Sequence, residues 1–208
     1  MEKVHQQKDN CAEEKIKEAA RKLFTQKGYS AVKTRDIAAE AGINLALLNY
    51  YFRSKEKLFE IIMFENLERF AKGIAIIMGD EQKTIDEKIE VIVNYYIDML
   101  TQNPDLPLFV LNEMRRDSSR IPETIDNKVG PMRTHFMKQI TDSMKAGDIT
   151  PINPMHIMAN MIGLIIFPFA ARPMLEKLGR MNDNDFQCLM QERKKLIPIW
   201  LKAMMQAH

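Results

Sequence analysis

Residues 34–52 read Thr34-Arg35-Asp36-Ile37-Ala38-Ala39-Glu40-Ala41-Gly42-Ile43-Asn44-Leu45-Ala46-Leu47-Leu48-Asn49-Tyr50-Tyr51-Phe52. Thr34 suits a helix N-cap, and Asp36 falls in the first turn, where a carboxylate favours the positive end of the dipole. Ile37, Ala38 and Ala41 form a narrow apolar face, and Gly42 breaks the helix. Asn44 caps a second short helix over 45–51. Ala38 and Ala41 are small enough for the two helices to cross closely, while Ile37, Ile43 and Leu48 fill the wedge between them. This is the helix-turn-helix pattern, whose second helix enters the DNA major groove. Any helical hairpin that turns at a glycine shares the bare pattern, so the flanking residues decide.

On the N-terminal side, Asn10 and Glu13 predict a capping box. Ile16, Ala19, Ala20, Leu23 and Phe24 then share one helical face, and Gly28 is a natural residue to end the helix. On the C-terminal side, Ser54 predicts the N-cap of a long helix over 55–78, with Glu56 in its first turn. The combined run is Ile16-x-x-Ala19-Ala20-x-x-Leu23-Phe24-x-x-x-Gly28-Tyr29, then Thr34-x-x-Ile37-Ala38-x-x-Ala41-Gly42-Ile43, then Tyr51-Phe52-x-Ser54-Lys55-x-x-Leu58. It closely resembles the N-terminal domain of the TetR/AcrR family of bacterial transcriptional regulators. Beyond Leu58 the likeness is one of length and helical layout only. The resemblance implies a helix-turn-helix DNA-binding domain over 1–58. It also implies a helical ligand-binding and dimerisation domain over 59–208, and a homodimer acting on a DNA operator.

Roles carry over on matching positions. By resemblance, Thr34 is a phosphate-contacting hydroxyl, Arg35 reaches a base or a phosphate, and Tyr51 touches the DNA backbone. Lys55 matches a lysine at the start of the fourth helix, where charge and free helix N–H groups hold a phosphate. Asn44, Leu45, Leu47, Asn49 and Tyr50 would face the groove or its rim. The chain departs from the family pattern at Leu47-Leu48-Asn49, where many members have Thr-Leu-Tyr, so Asn49 replaces a usual phosphate-binding tyrosine. Leu45 and Leu47 could touch thymine methyls or pack inside the domain, whereas Leu48 reads as core.

The rest of the chain is helical by period. The 208 residues are 46% hydrophobic, with only 8 Gly and 9 Pro, which excludes collagen-like and low-complexity chains. Strand-like alternation is missing, and the fold class is all-α with about nine helices. Ile85, Ile89, Ile92, Val93, Tyr96, Met99 and Leu100 form a stripe that ends at Asn103-Pro104. Further helices are expected over 106–116 and 132–145, with a loop of some helical content over 122–131. Pro154 sits at a first helical position and opens an apolar helix over 155–171, too broken by His156, Asn160 and Pro168 to span a membrane, and expected to be buried. A short extension over 174–178 closes at Gly179. Asn182 or Asp183 caps a final helix that Pro198 should kink.

The C-terminal domain is expected to bind an apolar or amphipathic small molecule. Candidate lining residues are Phe64, Phe70, Tyr95, Tyr96, Met99, Phe109, Met114, Phe136, Ile140, Met161 and Ile165. The 16 methionines suit an adaptable pocket, although a Met or Phe at helical spacing more often belongs to a core. Asn160, Gly163, Ile166, Phe167, Leu189, Trp200 and Leu201, in the last two long helices, are expected to form the dimer interface.

Charge and motifs bear on the competing classes. Residues 1–60 carry 12 Lys/Arg against 9 Asp/Glu, while the whole chain is at +2, so there is a mild N-terminal excess but no basic tail. Cys11 and Cys188 are too far apart in sequence for a metal or redox motif and read as inert thiols of a reducing, cytoplasmic compartment. His5, His135, His156 and His208 are scattered. No GxGxxG, P-loop, GxSxG or HExxH occurs, so neither an enzyme nor a cofactor is expected. Glu113 and Asp117 lie one turn apart, but Arg115, Arg116 and Arg120 make an ion-pair cluster the expected reading. The function expected is a ligand-responsive regulator, a repressor by resemblance. An activating or ligand-independent regulator is an alternative, as is a helical adaptor dimer without sequence-specific DNA binding.

Overall fold

The structure is a computed structural model that describes the backbone of residues 2–206 and the side chains of residues 12–206. The side chains of His5, Asn10, Cys11 and His208 lie outside that set. Among the described residues there are ten α-helices and no strand: α1 (Glu2–Ala31), α2 (Thr34–Glu40), α3 (Leu45–Phe52), α4 (Lys55–Gly79), α5 (Ile85–Gln102), α6 (Leu106–Arg116), α7 (Arg120–Ala146), α8 (Pro154–Ala170), α9 (Arg172–Gly179) and α10 (Asp183–Gln206). The tenth helix is the short α9, which stands by itself after a 70° bend from α8. No single described helix is long and apolar enough to cross a membrane. The chain divides into two compact units, Met1–Asn66 and Leu67–His208, and the division falls inside α4.

In the first unit, α1 begins at Glu2, so Asn10 lies within the helix and is not its cap. The preceding Glu, Lys and Gln residues are good helix formers with no Pro or Gly among them to stop it. Gly28 breaks the helix at φ 72°, ψ 159°, a conformation that favours glycine. The cap of α2 is Lys33, not Thr34. Asp36 reaches back to accept from the Lys33 backbone N–H at 3.0 Å, which makes Thr34 the first helical residue. The end of α2 is a Schellman turn: Gly42 has φ 66°, its N–H donates to Ala39 O, and Ile43 N–H donates to Ala38 O. Ile16, Ala20, Leu23, Phe24, Ile37, Ala38, Leu48, Phe52, Leu58 and Ile62 are buried and form one core. At its edge, Glu65 of α4 pairs with Lys17 and Arg21 of α1. Burial alone would push the Glu65 carboxyl up, but the hydrogen bonds from Lys17 and Arg21 outweigh it and hold its pKa below the usual range.

In the second unit, α10 packs on α5 and α8. Thr84 and Glu87 form the capping box of α5, whose Ile89, Ile92, Val93, Ile97 and Leu100 are buried. Asp98–Lys194 and Asp86–Lys202 ion pairs run along the α5–α10 seam at 2.6 and 2.5 Å. The expected loop at 122–131 is helical throughout, because α7 starts at Arg120 and continues through Pro131. Pro122 lies in the first turn, where N–H groups have no helical acceptor. Pro131 cannot donate to the carbonyl of Asn127, four residues back, and Asn127 is an exposed residue. The final helix is capped by Asn182, whose Oδ1 accepts from Asn184 N–H and Asp185 N–H. At the end of α9 the left-handed residue is Arg180, at φ 50°, and Gly179 is the last helical residue.

Pro168 sits inside α8 and cannot donate to the carbonyl of Leu164, four residues back. Arg193 of α10 fills that vacancy: its guanidinium donates to Leu164 O at 2.6 Å. The Arg193→Met variant should cost about 1–2 kcal/mol, since the Leu164 carbonyl then loses its donor. In a Pro168→Ala background the restored backbone N–H takes over, and the cost should shrink. Urea unfolding of the four-member cycle reads the coupling, and equal costs in both backgrounds would refute the pairing.

Candidate nucleic-acid interface

Helix α3 has two unlike faces. Leu48 and Phe52 are buried in the domain core, and Leu45, Leu47 and Tyr51 are half-buried at its margin. Ala46, Asn49 and Tyr50 are exposed, Tyr50 at 79%. They stand three and four residues apart and form one outward stripe. Asn44 accepts the Leu47 N–H on its Oδ1 at 2.8 Å, so its oxygen caps the helix and only its amide NH₂ faces outward. Tyr50 and Tyr51 meet edge to face, with ring centroids 5.3 Å apart. On α2, Arg35 is exposed and Thr34 half-buried.

Lys55 is held differently from what its position suggests. Its ammonium donates to Tyr29 O at 3.1 Å and to Val32 O at 3.0 Å, and it lies 4.1 Å from the centre of the Tyr29 ring. Two of its three protons therefore tie the α1–α2 connection to the start of α4. The Tyr29 hydroxyl donates to Glu56 at 3.0 Å. Burial and the neighbouring Glu56 carboxylate push the tyrosine pKa up to about 12. Ser54 caps α4 by accepting the Lys57 N–H at 3.1 Å. Sequence reasoning passed over Arg53, which is exposed and lies four and three residues beyond Asn49 and Tyr50. Its place as a cation between Phe52 and the Ser54 cap was the available signal.

The residues nominated for ligand binding do not gather at one place. Phe70, Tyr95 and Tyr96 come together: the Phe70 ring stacks on Tyr95 at 5.6 Å and lies 4.4 Å from Tyr96. Tyr95 packs so closely on Gly73 that a Cβ there would overlap its ring. Burial pushes the Tyr96 hydroxyl pKa above the tyrosine range. Phe109, Phe136, Ile140, Met161 and Ile165 are core residues on α6, α7 and α8, and Met99 is half-buried. Met114 points to solvent, on the outer side of α6, and Phe64 belongs to the first unit. A cleft of about 640 Å³ between α5 and α10 is lined by Glu90, Asn94, Gln191, Glu192, Lys194, Lys195, Pro198 and Ile199, a polar wall unlike the expected one. Glu113 is buried and accepts from Arg116 at 2.8 Å and Arg120 at 3.4 Å, an ion-pair cluster.

Helix α8 is not buried on all sides as its composition suggests. Phe167 is 56% exposed, and Met155 and Ile162 also face outward. On the adjacent α10, Ile199 is 60% and Trp200 40% exposed. The two helices are joined by Arg193 to Leu164 and by Asn160 Nδ2 to Met204 Sδ at 2.8 Å. Gly163 is exposed with open space around it, and Ile166 and Leu189 are half-buried. Leu201 is only 1% exposed and lies in the core of the chain, so it is not available to a partner. It falls in register with the buried Ile197 and Met205 on the inner side of α10.

A helix-turn-helix with a polar and aromatic outer stripe, attached to a larger helical domain, defines a regulatory class of protein. Residues 16–62 match the family described as bacterial regulatory proteins, tetR family. The chain is 24% identical over 195 residues to the Probable HTH-type transcriptional regulator YttP of Bacillus subtilis, covering 91% of this chain and 92% of that one. Its fold is that of a TetR transcription regulator from Haloarcula marismortui, with a TM-score of 0.64, 20% identity and coverage of 95% and 100% of the two chains. A transcriptional regulator FadR from Bacillus subtilis, solved in complex with stearoyl-CoA, has a TM-score of 0.57, 16% identity and coverage of 93% and 98%.

Proposed function

We propose that the protein is a homodimeric repressor that binds a palindromic operator and is released by a small apolar or amphipathic effector. The observation that carries the reading is the outward stripe of α3, Ala46, Asn49 and Tyr50, backed by buried Leu48 and Phe52 in the segment that matches the family. Asn49 and Tyr50 would meet base edges or the groove wall, with the NH₂ of Asn44 beside them. Thr34, Arg35 and Tyr51 would take phosphates, and Lys55 would add its remaining proton. Leu45 and Leu47 would offer their exposed edges to thymine methyls. The apolar outer faces of α8 and α10 would pair with a second copy, setting two α3 helices about 34–36 Å apart.

The effector would enter the second unit near Phe70, Tyr95 and Tyr96, where aromatic surface meets a tyrosine hydroxyl. The FadR neighbour was solved with stearoyl-CoA, a long apolar chain with a polar head, and that chemistry suits the same kind of wall. Helix α4 has residues in both units and is the element through which an effector would act on DNA affinity. Linkage makes the coupling reciprocal, so operator must weaken effector binding by the factor by which effector weakens operator binding. Fluorescence anisotropy with duplexes tiled across the DNA flanking the protein's own gene tests the reading. One fragment should bind tightly with a steep salt slope, and a fatty acyl-CoA series should release it. Equal weak binding to every fragment and to a scrambled control would overturn it.

A further inference from the structure

The connection between α3 and α4 is one residue of unusual backbone. Arg53 has φ 59° and ψ −42°, and the N–H of Ser54 donates across it to Phe52 O at 2.6 Å. That is a γ-turn of the positive-φ kind, which is rare and strained. Glycine would adopt it at least strain, yet the residue is arginine. The neighbours hold the strain in place: Phe52 is buried in the core, and Ser54 is fixed as the cap of α4. Strain kept in this way points to a use for the side chain that it aims.

The surroundings indicate that use. Arg53 is exposed and directly follows the last residue of α3, the helix that carries the outward residues Ala46, Asn49 and Tyr50. It stands at the C-terminal end of α3, and in a helix-turn-helix the N-terminal residues of the second helix reach the bases, which leaves this end at the groove rim. Lys55, two residues on, has two protons engaged by Tyr29 O and Val32 O, and the Glu56 carboxylate lies beside it. Its charge is therefore largely used inside the domain.

We propose that Arg53 is the main phosphate-binding cation at the exit of α3, and that the strained turn is retained because it directs the guanidinium onto the DNA backbone. The proposal rests on the reading of α3 as the DNA-entering helix. A guanidinium suits the task, because its planar fork matches two phosphate oxygens.

The test uses the full-length protein and a labelled duplex carrying the site that the wild type enriches from a randomised library. Affinity is measured by anisotropy across a KCl series for wild type, Arg53→Gln, Arg53→Gly and Arg53→Lys. Gln and Gly should each flatten the slope of log K against log[KCl] by about 0.9 per protomer, one phosphate contact each, and Lys should keep the slope. The melting temperature of Arg53→Gly should equal or exceed that of the wild type, because glycine relaxes the turn. A merely structural arginine would show the opposite pair of results: an unchanged slope and a lowered melting temperature. If the wild type binds and the Gln and Gly variants keep its slope, the assignment of Arg53 falls while the DNA reading stands. If the wild type enriches no site, both fall.

Discussion

Lys88→Ala is expected to destabilise the second unit by about 3 kcal/mol, a cavity and two lost hydrogen bonds acting together. Lys88 on α5 is fully buried, and its ammonium donates to Met78 O at 2.9 Å and to Gln139 Oε1 at 2.8 Å. The amide of Gln139 in turn donates to Lys83 O at 3.1 Å, so one lysine and one glutamine bind the end of α4, the start of α5 and α7 together. A cation here also faces the negative end of the α4 dipole. Lys88→Met should recover the cavity share of the loss and leave the two acceptors short of a donor. Burial holds the Lys88 pKa below the lysine range, against the opposing influence of Asp80 and Glu81. Below that lowered pKa the penalty for the buried charge is fully present. Between it and 10.5 the folded protein gives up the proton before the unfolded chain does, so wild-type stability should rise relative to Lys88→Met over that alkaline window. Chemical unfolding across pH checks both effects, and a loss below about 1 kcal/mol for the alanine variant would contradict the latch.

Phe167→Asp should leave the chain folded and abolish the proposed homodimer. The side chain is already more than half exposed, so the change removes little from the core. Placed among Ile162, Ile199 and Trp200 in a closed interface, however, an aspartate would be a buried charge without a partner. Two linked half-site contacts then become two separate ones, and operator affinity should fall about 10²–10⁴-fold. Sedimentation velocity reads the first effect and anisotropy the second. A Phe167→Asp protein that stays dimeric with unchanged affinity would remove α8 from the interface.

How much of this was legible in the sequence follows from where the information lies. The helix-turn-helix was readable because local chemistry fixes it: Gly42 at positive φ, Asn44 as cap, and Leu48 opposite Ala46 and Asn49. The same holds for Ser54 and Asn182, whose caps need only residues within three positions. The continuity of α7 through 122–131, beyond the partial helix expected there, was hidden because Pro122 and Pro131 look like breakers, yet one lies in a first turn and the other follows the exposed Asn127 by four residues. The outward side of α8 was hidden by composition, since an apolar run does not say which neighbour covers it. Leu201 and Trp200 are adjacent in sequence and opposite in burial for the same reason. Lys88 could not be foreseen, because its acceptors come from residues 78 and 139. The role of Lys55 depends likewise on the carbonyls of Tyr29 and Val32, which only the folded chain brings to it.

The most direct measurement is sequencing of genomic DNA captured by the purified wild-type protein, alongside Asn49→Ala and Tyr50→Ala. The predicted result is one inverted repeat, with half-sites about one helical turn apart, enriched by the wild type and lost or altered with either variant. No enriched sequence, or an enriched sequence that both α3 variants recover unchanged, would contradict the assignment of α3 as the element that reads DNA.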